Sequence, residues 1–167
     1  YYALRITHHH FVMRNPFFVM LTSLPRPMIF AHRGASAHAP ENTLAAFELA
    51  LTQNADAIEL DVKLSADGHV VVIHDPTVDR TTGSKGRVKE LSLAELRSLD
   101  AGSFFSEKYH GERIPTLEEV FESVGKRIFI NVELTNYSTP RDELVETVCM
   151  LVKKFGLQKQ VMFSSFF

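Results

Sequence analysis

Glu59-Leu60-Asp61 sets two carboxylates two residues apart inside an apolar run from Ala57 to Leu64. At strand spacing both fall on one face. Two like charges buried within about 7 Å of each other are costly unless a cation lies between them or one of them holds a proton. Glu133 repeats the situation in the run Ile128 to Leu134, where it shares a face with Asn131. Three inward carboxylates form an oxygen-only donor set, which suits one divalent cation, Mg²⁺ or Ca²⁺, better than zinc. The plain alternative is a half-exposed strand on which the pair faces solvent or pairs with Lys63.

His32, Arg33 and Gly34 directly follow the apolar run Met28 to Ala31. An imidazole and a guanidinium thus stand where a buried strand breaks into a loop. His titrates near neutral pH, and the guanidinium fork matches phosphate oxygens. Alone, the tripeptide also fits a polar strand end. His74-Asp75 supplies a second imidazole at a strand end, where a lone histidine is ordinarily structural. Two such histidines flanking three carboxylates point to metal-assisted phosphate chemistry.

These groups must be carried by regular elements, and the pattern from Met28 onward supplies them. Apolar strands alternate with amphipathic helices, which predicts an α/β fold with a largely parallel sheet. Strands are expected at Met28–Ala31, Ala57–Leu64, Val70–His74, Ile128–Leu134 and Val161–Phe166. Helices are expected at about 43–53 (N-cap Thr43), 93–99, 116–124 and 140–155. Ser92 with Glu95, and Thr116 with Glu119, form capping-box patterns. Thr139-Pro140 reads as N-cap and N1 of the last helix. Only five residues separate the second and third strands, too few for a parallel crossover, so Asp67-Gly68 predicts a hairpin. With those two residues at the centre of the turn, Asp61 falls opposite His74. Residues 75–115 hold few apolar runs and four glycines, and read as an inserted excursion.

The chain has 167 residues, 45% hydrophobic and 23% charged, enough for one domain with a real core. A formal charge of −2 excludes the diffuse basic surface that binds nucleic acid. The single cysteine, Cys149, excludes an internal disulfide and a thiolate zinc site. No stretch approaches the roughly 20 apolar residues that span a bilayer. Residues 1–27 carry Arg5, Arg14 and a short apolar patch, yet lack the length and cleavage site of a signal peptide. They read as an extension outside the fold, with His8, His9 and His10 incidental or tag-like, and the default location is cytoplasmic. Nothing in the sequence indicates an oligomeric state.

In order, His32-Arg33-Gly34, Pro40-Glu41-Asn42-Thr43, Glu59-Leu60-Asp61-Val62, Asp67-Gly68 and Val72-Ile73-His74-Asp75 resemble the glycerophosphodiester phosphodiesterase family. Asp79-Arg80-Thr81-Thr82, Ile114-Pro115-Thr116-Leu117, Asn131-Val132-Glu133 and Ser164-Ser165-Phe166 extend the resemblance over about residues 28–167. It implies a (β/α)₈ barrel with an insertion at 75–115, and hydrolysis of a small-molecule glycerophosphodiester to glycerol 3-phosphate and an alcohol. It implies His32 and His74 as the acid/base pair, Glu59, Asp61 and Glu133 as metal ligands, and Arg33 as a phosphate contact. Glu41 and Asn42 are expected to fix the loop rather than touch substrate.

Two departures stand out. Many family members carry a lysine close to the phosphate two residues after the strand-four glutamate; here that residue is Thr135, which brings a hydroxyl and no charge. A barrel of this type typically needs about 250 residues, and this chain stops at its fifth predicted strand. The expectation is therefore a barrel cut after that strand. The rival readings are a related barrel phosphodiesterase acting on lipids, and a fragment that keeps the motifs without a competent site.

Overall fold

The computed structural model describes residues 27–139 and 141–166. The expectations for residues 1–26, including His8, His9 and His10, and for Pro140 lie outside them. Five strands form one sheet: β1 Phe30–His32, β2 Ala57–Leu64, β3 Val70–Val72, β4 Phe129–Leu134 and β5 Val161–Ser164. β1, β2, β4 and β5 run parallel in that order, while β3 pairs antiparallel with β2. The helices are α1 Leu44–Thr52, α2 Asp79–Thr82, α3 Leu93–Ser98, α4 Leu117–Val124 and α5 Leu144–Lys154. The parallel α/β class is as expected, and the last strand is the fourth of the parallel set.

Strand alternation divides the sheet into two faces. Ile58, Leu60, Val62, Ile130 and Val132 point to the helices and pack with Phe47, Leu117, Phe121, Leu144 and Val148 in the main core. Glu59, Asp61 and Glu133 therefore point the other way, into the concave face. Residues of the 75–115 excursion build a second cluster, in which Val78, Val88, Leu96 and Ile114 cover Val71 and Ile73. Thr43 caps α1 by accepting from Ala46 N, and both predicted capping boxes form, on α3 and α4.

Several boundaries differ from expectation, and β5, expected to reach Phe166, ends at Ser164. Ile29 N donates to the Asp56 carboxylate instead of entering the ladder, so β1 starts at Phe30 and runs on to His32. α5 starts at Leu144, because Asp142 accepts from Asn136 Nδ2, Thr139 Oγ1 and Leu144 N. Those side-chain bonds hold a turn where the sequence predicts helix. β3 ends at Val72, two residues early.

The hairpin register also differs by one residue. Gly68 N donates to Ser65 O and Ser65 N to His69 O, so the loop is Ala66-Asp67-Gly68 with Gly68 at φ +81°. This is a three-residue loop with glycine in the left-handed position rather than a two-residue turn. Asp61 O consequently receives Ile73 N at 3.0 Å, and His74 is not opposite Asp61. His74 still arrives nearby, by a different route. Val62 pairs with Leu134 on one edge of β2 and Val72 on the other, so β3 occupies the same edge as β1. β1 runs up that edge to His32 beside Glu59, and β3 runs down it past Asp61. The two histidine-bearing strand ends approach each other head on.

Gly34 and Gly68 are a paired test of this packing. Both have φ near +80°, but an added Cβ at Gly34 would lie 2.8 Å from Ala46 backbone, whereas Gly68 has open space. Gly68→Ala is expected to cost about 1 kcal/mol and Gly34→Ala about 3 kcal/mol or more. Denaturant unfolding of the two variants checks this, and equal losses would contradict the close approach of the β1 loop to α1.

Candidate active site

The concave face carries matched rungs of side chains set by the β2–β4 register. Glu59 lies beside Asn131 and Asp61 beside Glu133, and the next inward residue of β2, Lys63, meets Thr135 directly after β4. Glu59, Asp61 and Glu133 each offer an oxygen within 4.8 Å of the others. Glu59 and Asp61 are buried, with Asp61 only 1% exposed. The sheet thus brings together the three carboxylates expected from sequence, at the carboxyl ends of parallel strands where α/β sheets place their sites.

The loop after β1 wraps this cluster with donors. Arg33 N donates to Glu59 Oε2 at 3.0 Å, and Asn42 Nδ2 donates to Asp61 Oδ2 at 2.9 Å. Arg33 Nε stands 3.4 Å from Asp61 Oδ2 as an ion pair without hydrogen-bond alignment. Arg33 and Asn42 both adopt positive φ, 56° and 57°, and Asn42 N donates to Arg33 O. Such backbone is disfavoured for residues with a Cβ and persists where surroundings over-determine it. Here the carboxylates do so by fixing both residues from the opposite side. His32 Nε2 stands 3.8 Å from Glu59 Oε2 with its ring largely open to solvent.

His74 is tied to the same centre through a chain of ion pairs. Its Nδ1 lies 2.7 Å from Asp75 Oδ1, and Arg80 Nε donates to Asp75 Oδ2 at 2.8 Å. The Arg80 guanidinium also forks onto Glu41, at 2.7 and 2.8 Å, and Glu41 accepts from Arg33 at 3.0 Å. A carboxylate on Nδ1 leaves Nε2 as the ring atom for proton exchange. The expectation that Glu41 and Asn42 fix the loop agrees with these bonds.

Electrostatics show how crowded the cluster is. Burial, reinforced by the neighbouring Asp61 and Glu133, pushes the Glu59 carboxyl up to about 7. Glu59 Oε1 and Asn131 Oδ1 are buried without a hydrogen-bond partner. Unpaired buried acceptors beside like charges are relieved when a cation binds among them, so this cluster could hold one. Carboxylate and amide oxygens are hard donors, so the residues present fit an oxygen-coordinated divalent ion. Around them, hydrogen bonds from Arg80 hold Asp75 down at about 2. Burial draws Lys63 down to about 8, against the pull of Asp61, Asp75 and Glu133.

Sequence reasoning missed several contributors. Tyr137 donates its hydroxyl to Glu133 Oε1 at 2.7 Å, and nothing in its loop position signals this. Arg80 lay within a quoted motif without a role. Lys63 does not pair with the carboxylates; its ammonium is bound to Thr135. Its place two residues after Asp61 was the available signal.

The chain also matches known proteins. A profile of the glycerophosphoryl diester phosphodiesterase family matches residues 32–167. The chain is 48% identical over 142 residues to a glycerophosphodiester phosphodiesterase of Caldanaerobacter subterraneus subsp. tengcongensis, covering 84% of this chain and 58% of that protein. Among solved structures it is similar to a glycerophosphodiester phosphodiesterase from Agrobacterium tumefaciens, with a TM-score of 0.76 and 40% identity. It is also similar to an Oleispira antarctica phosphodiesterase in complex with the product sn-glycerol-3-phosphate, with a TM-score of 0.79 and 40% identity. Both alignments cover 84% of this chain and 58% of the solved one, so it spans less than two thirds of these relatives. Their likeness shows a (β/α)₈-type fold class.

The raised Glu59 value sets a pH-linked expectation. Without a cation, folding keeps on Glu59 a proton that the unfolded chain releases above its ordinary value of 4.5, so stability falls from there to about pH 7 and then levels. A bound divalent ion needs the carboxylate ionised, so it competes with that proton. Mg²⁺ or Ca²⁺ is therefore expected to raise the melting temperature more at pH 8 than at pH 5.5, and Glu59→Gln to remove most of the rise. Calorimetric melts with and without chelator check this; an equal shift at both pH values would contradict it.

Proposed function

The chain belongs to the glycerophosphoryl diester phosphodiesterase family, and from that membership and the site's geometry we propose that the protein hydrolyses glycerophosphodiesters to glycerol 3-phosphate and an alcohol. The observation that carries the reading is the convergence of Glu59, Asp61 and Glu133 within 4.8 Å, beside His32 and Arg33. A relative solved with sn-glycerol-3-phosphate bound supports the product class.

The geometry supports the following roles. Glu59, Asp61 and Glu133 hold one divalent cation, Mg²⁺ or Ca²⁺, which when bound neutralises phosphate charge and acidifies an attacking oxygen. Arg33, anchored by Glu41 and Asp61, presents its remaining guanidinium donors to nonbridging phosphate oxygens and stabilises charge that grows in the transition state. His32 and His74 exchange protons with the nucleophile and the departing alcohol. Asp75 holds the His74 ring by Nδ1, so that Nε2 faces the reacting group. No helix among the described residues is long and apolar enough to cross a membrane.

Release of glycerol 3-phosphate from glycerophosphocholine tests the reading. Activity is expected to vanish with chelator and return with Mg²⁺ or Ca²⁺, and His32→Ala and His74→Ala are each expected to lower kcat by about 10²- to 10⁴-fold. Chelator-resistant turnover, or normal turnover by His32→Ala, would overturn it.

A further inference from the structure

Lys63 is a buried-stem cation that the proposed chemistry leaves unused, and its placement is specific. β2 alternates Glu59, Asp61 and Lys63 on the concave face, about 7 Å between successive members. Since Asp61 registers with Glu133, the neighbour of Lys63 is Thr135, the residue directly after β4, one rung beyond the carboxylates toward the open end of the strands. On the hydrolase reading, a phosphodiester resting on a cation held by Glu59, Asp61 and Glu133 would lie on that side.

The contacts fix the ammonium rather than leaving it to wander. Lys63 Nζ donates to Thr135 O at 2.6 Å and to Thr135 Oγ1 at 2.8 Å. Thr135 Oγ1 in turn donates its own hydrogen to Val62 O at 2.8 Å, and the threonine is 3% exposed. The hydroxyl therefore has no hydrogen left for a substrate and acts as the seat of the ammonium. Two of the three ammonium N–H groups are used, leaving one donor. Among the described residues no carboxylate lies within ion-pair distance of Nζ. A desolvated ammonium whose partners are neutral oxygens gains most from an anion that arrives with substrate.

We propose that Lys63 is a second phosphate-contacting residue, its ammonium seated on Thr135 at the β4 side of β2 while Arg33 approaches from the β1 side. The pair brackets the phosphate across the carboxylate cluster, and the assignment rests on the hydrolase reading above. Lys63 thereby favours a compact dianionic product as well as the monoanionic diester.

The test uses the whole protein carrying this sequence, with turnover of glycerophosphocholine, direct calorimetric binding of glycerol 3-phosphate, and a melting curve for each variant. Lys63→Gln keeps a hydrogen-bonding side chain against Thr135 but removes the charge. It is expected to lower kcat/KM and weaken glycerol 3-phosphate binding by about 10- to 100-fold. Lys63→Gln combined with Thr135→Lys returns the charge to the same rung from the adjacent strand, and is expected to recover most of both losses. A folded Lys63→Gln with kcat/KM within about twofold of the parent overturns the proposal. So does a loss that the double variant leaves unrepaired, which marks Lys63 as a strut between strands. A parent that binds glycerol 3-phosphate in a Lys63-dependent way but turns over no glycerophosphodiester overturns the hydrolase reading while leaving Lys63 as an anion contact; a parent that does neither overturns both.

Discussion

Three carboxylates held within 4.8 Å on a largely buried sheet face are the constraint that the surrounding structure answers. In a low-dielectric setting their repulsion is large, and hydrogen bonds relieve only part of it. Asp61 receives Asn42 and the Arg33 guanidinium, and Glu133 receives Tyr137. Glu59 receives one backbone N–H and keeps an unpaired oxygen. The uneven provision makes Glu59 the member that holds a proton when no cation is bound.

The same constraint explains why loops distant in sequence are bound together. Arg80 belongs to the excursion after β3, Glu41 to the loop after β1, and their fork joins the two. Exposed ion pairs are individually weak, but a guanidinium shared by two carboxylates restricts three side chains for one loss of freedom. The excursion can serve as a fixed partner because Val78, Val88, Leu96 and Ile114 give it an apolar core of its own. Position is thus transmitted from packing, through Arg80, to His74 and Arg33.

Much of this was legible in the residues. Period-two alternation placed Glu59, Asp61 and Glu133 on one face, and the capping pairs Ser92 with Glu95 and Thr116 with Glu119 started helices where they should. The hairpin was legible but its register was not. Asp-Gly fits both a two-residue turn and the last two positions of a three-residue loop, and the choice depends on how Ser65 and His69 close the ladder. The start of α5 was hidden because Asp142 satisfies a turn before the helix, and sequence pattern does not reveal such local competition. At Thr135 the sequence suggested a lost charge. Cross-strand register, which no linear motif records, sets the ammonium of Lys63 on that very threonine.

Charge balance then bounds what the site takes. The cluster and the ion pairs around it contain five carboxylates, Glu41, Glu59, Asp61, Asp75 and Glu133, against two guanidiniums, Arg33 and Arg80, with Lys63 nearby on neutral oxygens. Negative charge is in excess, and a bound divalent ion would offset most of it. On the proposed reading, an ion held by Glu59, Asp61 and Glu133 would leave the open rung, where Arg33 and Lys63 keep free donors, the least negative part of the site. A phosphodiester monoanion would bind there without displacing an internal partner. With the ion absent, the same phosphate would face Asp61 and Glu133 directly. On the proposed reading, cation and substrate sites would be coupled through the carboxylates, so that the divalent ion would favour substrate binding as well as chemistry.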